Sequence, residues 1–158
     1  MKFEEFIKSY NELYKACNSI YHAYALSCGL SDSSLAILYE LRTNENDVTQ
    51  KDLGASLSLS KQTVNSSIKW LLDNGLVVFK DSKDDKRSKA VILTDEGKRF
   101  CADKIDRIIQ AEEMAFGRLT EAEASALISS EKKYFQFFSE ESNKVIGKKR
   151  YEKDSIIR

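Results

Sequence analysis

The sequence predicts a mainly helical protein with one small β-hairpin, and three observations carry that expectation. Proline is absent from all 158 residues, so no fixed φ or missing amide interrupts a long helix. Apolar residues recur at helical spacing over most of the chain. Just after Gly75 the period shortens from 3.6 to 2, and Val, Ile and Phe concentrate there, as in paired strands.

From Phe3 to about Cys28 the pattern is one long helix. Tyr10, Tyr14, Cys17, Tyr21, Tyr24 and Cys28 recur at steps of four and three, and Leu13, Ala16, Ile20 and Ala23 form a second stripe roughly 110° round the axis. A helix with two apolar faces is pressed on both sides, and in so small a protein a second subunit is the expected neighbour on one of them. Gly29 ends this helix and Ser31 caps the next, with Leu35, Leu38, Tyr39 and Leu41 on its buried face. Residues 43–48, TNENDV, read as a polar turn. Thr49 to Asp52, TQKD, is a capping box opening a short helix that buries Leu53 and Leu57.

A tight connection, 58–60, leads into 60–75, SKQTVNSSIKWLLDNG. Ser60 is a good N-cap and Gly75 a good C′ stop, while Val64, Ile68, Leu71 and Leu72 make one inward stripe. The opposite face holds Lys61, Gln62, Thr63, Asn65, Ser66 and Lys69 without a single acid. Solvated helix faces mix Glu with Lys, so this one suits an anionic, acceptor-rich surface. Gln and Asn can bond adenine bidentately, Ser and Thr fit either base edge, and Lys serves guanine or phosphate. Two short helices, the second with such a face, make a helix-turn-helix.

Strands are expected at 76–80 and 89–93, around a loop too charged to bury (81–88); together they form a β-wing. Thr94 then caps a helix to about Phe116, with Phe100, Cys101, Ile105, Ile108 and Ile109 inward. The box TEAE at 120–123 opens a last helix carrying Leu127, Ile128, Tyr134, Phe135 and Phe138, and a basic tail follows. The expected organisation is therefore a long N-terminal helix (1–30), a winged helix-turn-helix lobe (31–99), C-terminal helices (100–145) and a tail (146–158).

Net charge is zero but unevenly spread: residues 60–99 hold nine bases against six acids, and residues 1–59 five against eight. The positive excess sits where a DNA footprint would need it, and being modest it should leave affinity dependent on dimerisation and salt. Three cysteines (Cys17, Cys28, Cys101) without CxxC spacing, and one histidine, His22, argue against a metal site and for buried, reduced thiols. No membrane-length apolar run and no signal-like N-terminus occur, so an intracellular protein is expected. Gly-rich phosphate loops and nucleophile–base pairs are missing, so no cofactor and no catalysis are expected.

The wing and its exit, Asp85-Lys86-Arg87 followed by Val91-Ile92-Leu93-Thr94 and Gly97, resemble the D-x-R and L-T-x-x-G pattern of the MarR family of winged-helix transcriptional regulators. Residues 57–77, LSLSKQTVNSSIKWLLDNGLV, resemble that family's turn and recognition helix. The resemblance implies a homodimeric repressor on an inverted-repeat operator in double-stranded DNA, with 1–30 as the N-terminal dimerisation helix and 100–145 as the C-terminal dimerisation helices. Ser60, Lys61, Gln62, Thr63, Asn65, Ser66 and Lys69 would face DNA, Arg87 would enter the minor groove with Asp85 orienting it, and Lys86 and Lys89 would touch phosphates. It also implies a small phenolic or lipophilic effector, for which Tyr10, Tyr14, Tyr21, His22, Tyr24, Leu35 and Tyr39 are the candidate lining. Two alternatives stand beside this reading: thiol-based redox sensing through Cys17 or Cys28, and a winged helix turned to protein interaction.

Overall fold

The structure, a computed structural model, describes residues 1–44, 46–81 and 89–146. Seven α-helices and three short strands follow one another among them: α1 (Phe3–Ser27), α2 (Asp32–Thr43), β1 (Val48–Thr49), α3 (Gln50–Ser56), α4 (Lys61–Asp73), β2 (Val77–Asp81), β3 (Lys89–Leu93), α5 (Asp95–Phe100), α6 (Asp106–Phe116) and α7 (Glu121–Ile146). The chain gathers into two compact units, one from Met1 to Ile108 and one from Ile109 onward. No described helix is long and apolar enough to cross a membrane.

Helix ends in the first unit follow the expected chemistry. Ser31, Thr49, Ser60 and Thr94 each accept a hydrogen bond from an amide in the first turn of the helix they cap, satisfying donors that have no intrahelical partner. The α1 and α4 helices both end in a Schellman closure. Gly29 (φ 70°) and Gly75 (φ 68°) take the left-handed conformation, and the next residue folds back, Leu30 N–H onto Ala25 and Leu76 N–H onto Leu71, each at 2.9 Å. Both leucines are buried beside the residues they bond, so each stop also starts the next core contact.

The core of this unit lies between α2, α3, α4 and the sheet. Leu35, Ile37, Leu38, Leu53, Val64, Ile68, Leu71, Val77 and Val91 are all buried, with Cys101 and Ile105 closing it from the far side. Ile37 is an addition to the expected face of α2. Tyr39, Leu41, Leu57 and Leu72, expected inside, are only half-buried.

Three expectations are corrected here. Residues 43–48 are not wholly a turn: Val48 and Thr49 form an edge strand, so the sheet has the order β1-β3-β2, with Val48 opposite Val91 and Thr49 opposite Ala90. Two residues are too few to show alternation, and their partner lies more than forty positions away. The helix expected from Thr94 to about Phe116 is interrupted by a π-turn, Cys101–Ile105, between α5 and α6. The Tyr24 hydroxyl donates to the Lys104 carbonyl inside that turn at 2.6 Å. Arg42 on α2 clasps Asp106 just after it with two bonds of 2.8 and 2.7 Å. The Arg42 hydrogen bond holds the Asp106 carboxyl below its usual range. The cysteines are not uniformly buried either: Cys17 is exposed, Cys28 half-buried, and only Cys101 is enclosed.

In the second unit Thr120 and Glu123 form the expected reciprocal box, with Thr120 N–H and hydroxyl both on the Glu123 carboxylate at 2.8 Å. Hydrogen bonds from the Thr120 amide, then its hydroxyl, lower the Glu123 pKa. The helix they open buries no residue. Leu127, Ile128 and Phe138, from the set expected to be its apolar side, are each more than half exposed.

Candidate nucleic-acid interface

The α4 helix stands out from the first unit as a ridge. Val64, Ile68 and Leu71 are within 1 % of full burial and anchor it, while Lys61, Gln62, Asn65, Ser66 and Lys69 on the other side are exposed. Thr63 is half-buried, because its amide and hydroxyl both meet Ser60 Oγ, at 3.1 and 2.8 Å. Ser60 and Thr63 therefore build the start of the helix. Ser66 donates back to the Gln62 carbonyl at 2.9 Å and presents only its oxygen lone pairs. The longest free reach on this face belongs to Gln62, Asn65, Lys61 and Lys69.

Ser58 (φ 52°) is the only described non-glycine residue in the left-handed region, and it lets the chain turn from α3 into α4 within a few residues. Gly54 faces that turn, with the Leu59 carbonyl 3.5 Å from where a Cβ would stand. A groove of about 510 Å³ follows, walled by Gln50, Lys51 and Gly54 of the α3 side and by Lys61, Val64 and Asn65 of the α4 side. On the opposite flank lies a second groove of about 470 Å³, between α4 and the start of α2, lined by Ser31, Ser33, Gln62, Ser66, Ser67 and Trp70 among others. The exposed face of α4 is thus a crest between two troughs.

The end of α4 is fastened to the exit of the wing hairpin. Thr94 Oγ1 donates to the Gly75 carbonyl at 2.6 Å, and Thr94 N–H to the Leu76 carbonyl at 3.0 Å. Gly97 lies so close that an added Cβ would stand 1.9 Å from the Leu76 oxygen. At the base of the wing Asp81 and Lys89 face each other across the β2–β3 ladder, and Lys89 Nζ bonds the Asp81 carboxylate at 2.7 Å. That bond lowers the Asp81 pKa. Lys89, expected to meet phosphate, already has an acidic partner here. Asp85, Lys86 and Arg87 lie outside the described residues.

The residues expected to line an effector site are spread along α1 and α2. Tyr10 and Tyr24 are fourteen positions apart, about 21 Å of helix at 1.5 Å per residue, so they border a length of α1 rather than one cavity. Leu35 is a core residue and Tyr14 is largely exposed. His22, also exposed, binds both oxygens of Asp32 through Nδ1 at 2.9 and 3.1 Å. Tyr24 has its pKa raised, first by burial and then by the neighbouring Cys28. Among the described residues no cluster of His, Cys, Asp and Glu could hold a metal ion.

Two features escaped the sequence pattern. Ser67, which belongs to neither the inward stripe nor the polar face read from the sequence, is 5 % exposed and bonds Ser33 of α2 at 2.7 Å. Trp70, four positions beyond Ser66, is 39 % exposed on the wall of a groove. The i, i+4, i+8 series Gln62, Ser66, Trp70 was the available signal.

Comparison with known proteins agrees with this architecture. Residues 29–88 match the MarR family profile. The HTH-type transcriptional regulator YwoH of Bacillus subtilis (strain 168) is 39% identical over 71 residues, which cover 45% of this chain and 50% of that protein. The chain's alignment thus spans half the length of that curated relative. A MarR family regulator from Neisseria meningitidis has the same fold with a TM-score of 0.73 at 23% identity, over 91% of this chain and 99% of that one. A MarR family regulator from Listeria monocytogenes, solved in complex with a 26mer DNA, superposes with a TM-score of 0.67 at 23% identity, over 92% and 97% of the two chains. Residues 29–88, which hold the helix-turn-helix described above, thus match the MarR family, and over most of its length the chain has the fold of solved MarR family regulators.

Proposed function

We propose that the chain is a sequence-specific DNA-binding regulator that reads an inverted repeat as a homodimer in the cytoplasm, represses there, and is released by a small phenolic or lipophilic ligand. The acid-free crest of α4 carries this reading. Gln62, Asn65, Lys61 and Lys69 are exposed on a helix about as wide as the major groove it would enter. The superposable Listeria regulator, solved with DNA, supports the same use of the lobe. Homodimerisation is supported by Leu13, Tyr14 and Ile20 of α1 and by Leu127, Ile128 and Phe138 of α7, apolar side chains more than half exposed among the described residues. Arg87 in the minor groove, oriented by Asp85, completes the proposed contact.

The test is anisotropy titration on a selected operator and on random duplex, with Gln62→Ala, Asn65→Ala and Arg87→Ala. A bidentate base contact contributes about 1–3 kcal/mol of discrimination, so the α4 variants should lose roughly tenfold or more on the operator and little on random DNA. Equal losses on both duplexes would remove the base-reading assignment. Unchanged affinity for Arg87→Ala would remove the wing.

A further inference from the structure

We propose that the groove between the start of α2 and the recognition helix α4 seats a sugar–phosphate strand of duplex DNA, the Ser33 hydroxyl donating to a phosphate oxygen while Trp70 packs against the adjoining deoxyribose. This rests on the DNA-binding reading above and adds a second strand contact to it. An α-helix with its side chains is about 10–12 Å across and the major groove about 12 Å wide. A helix seated there brings both backbones against whatever flanks it. On the α3 flank that is Lys51 and Lys61. On the α2 flank the wall is uncharged in Ser31, Ser33, Ser67, Gln62, Ser66 and Trp70.

The hydroxyls of that wall are ordered in one direction. Ser31 donates to Ser34 Oγ at 2.9 Å. A hydroxyl has one hydrogen, so in the 3.2 Å contact between Ser31 and Ser33 the donor is Ser33. By the same count the 2.7 Å contact between Ser33 and Ser67 is donated by buried Ser67. Ser33 therefore always accepts from below, and its own hydrogen is held only by the longest bond of the chain. Turned outward, it meets an external acceptor with its oxygen already polarised by Ser67, which strengthens the bond it gives. Serine, threonine and glutamine side chains are common phosphate partners, and such contacts set position without reading sequence. Trp70 supplies the apolar side of the same trough.

An uncharged contact of this kind has a signature that a lysine does not. Trp70 is the sole tryptophan of the chain, so its emission reports occupancy of the groove. Full-length protein is titrated with a mixed-sequence duplex of about three helical turns, following anisotropy of the DNA and emission of the protein together. The expected result is a change of emission that saturates with the anisotropy. Trp70→Ala should weaken binding about fivefold or more on every duplex, and Trp70→Phe, which keeps most of the apolar contact area, should stay within about twofold. Ser33→Ala combined with Ser67→Ala, which leaves no buried hydroxyl without its partner, should weaken binding severalfold with an unchanged salt slope. Lys51→Ala should instead lower that slope by about one. Wild-type protein that fails to bind any duplex would overturn the DNA-binding reading itself. Binding with unaltered Trp70 emission, and with Trp70→Ala and the serine pair at wild-type affinity, would overturn this inference and leave that reading standing.

Discussion

Replacing Gly97 with alanine tests whether the wing exit and the end of α4 are one packed joint. In α5, Gly97 is the third residue after the Thr94 cap, and its φ is an ordinary helical one, so helix propensity alone predicts a gain of about 0.8–1.0 kcal/mol. The packing predicts the reverse. An alanine Cβ would lie 1.9 Å from the Leu76 oxygen and 2.9 Å from its carbonyl carbon, where carbon–carbon contacts favour about 3.5–4.0 Å. The segments must part by more than an ångström. Thr94 N–H to Leu76 and Thr94 Oγ1 to Gly75, now 3.0 and 2.6 Å, cannot both survive that. Two bonds at about 1 kcal/mol each and overpacking at about 1–3 kcal/mol, less the propensity gain, leave a loss of about 2–4 kcal/mol. For a chain of this length that is a fall in Tm of roughly 5–15 °C. Urea unfolding followed by far-UV circular dichroism measures it at a fixed protein concentration. A Gly97→Ala variant as stable as the parent, or more so, would refute the joint, because only the propensity term would then remain.

The Arg42–Asp106 clasp carries a pH dependence of known sign. Arginine keeps its charge, and the Asp106 pKa is lowered by the bond, so the stabilisation is complete above the ordinary aspartate range, about pH 4, and fades as pH drops through the lowered value. Asp106→Asn should therefore destabilise at pH 7 and lose less on acidification than the parent, which paired unfolding curves at pH 7 and pH 3 would check. The thiols should react in order of exposure. Burial pushes the Cys101 pKa up to about 11, so at pH 8 a thiol-reactive disulfide should label Cys17 quickly and Cys101 only in denaturant. Fast labelling that persists in Cys17→Ser and disappears in Cys101→Ser would refute the assignment.

What could be read from the sequence was mainly local chemistry. Ser60 and Gly75 bound α4 because a cap and a left-handed stop depend on neighbours within a few positions, and the same holds for the Thr49–Asp52 and Thr120–Glu123 boxes. The inward stripe of Val64, Ile68 and Leu71 follows from periodicity. What escaped depends on distant partners. Val48 becomes a strand only because Val91 lies beside it. Ser67 is inside only because Ser33 meets it across two helices. Asp81 occupies Lys89 only once the hairpin has closed. The π-turn at Cys101–Ile105 inserts a residue without breaking the apolar spacing of Cys101, Ile105 and Ile108, so the pattern alone looks like continuous helix.

The bare surface of α7 bears on how the protein responds to its own abundance. A helix of 26 residues with no buried residue among the described residues draws little from packing, and packing is where helices in proteins obtain most of their stability. If a second copy covers it, the folded state becomes a matter of mass action. Each tenfold dilution then withdraws about 1.4 kcal/mol per mole of dimer, and the melting temperature drifts with concentration. Scarcity itself would then loosen the fold.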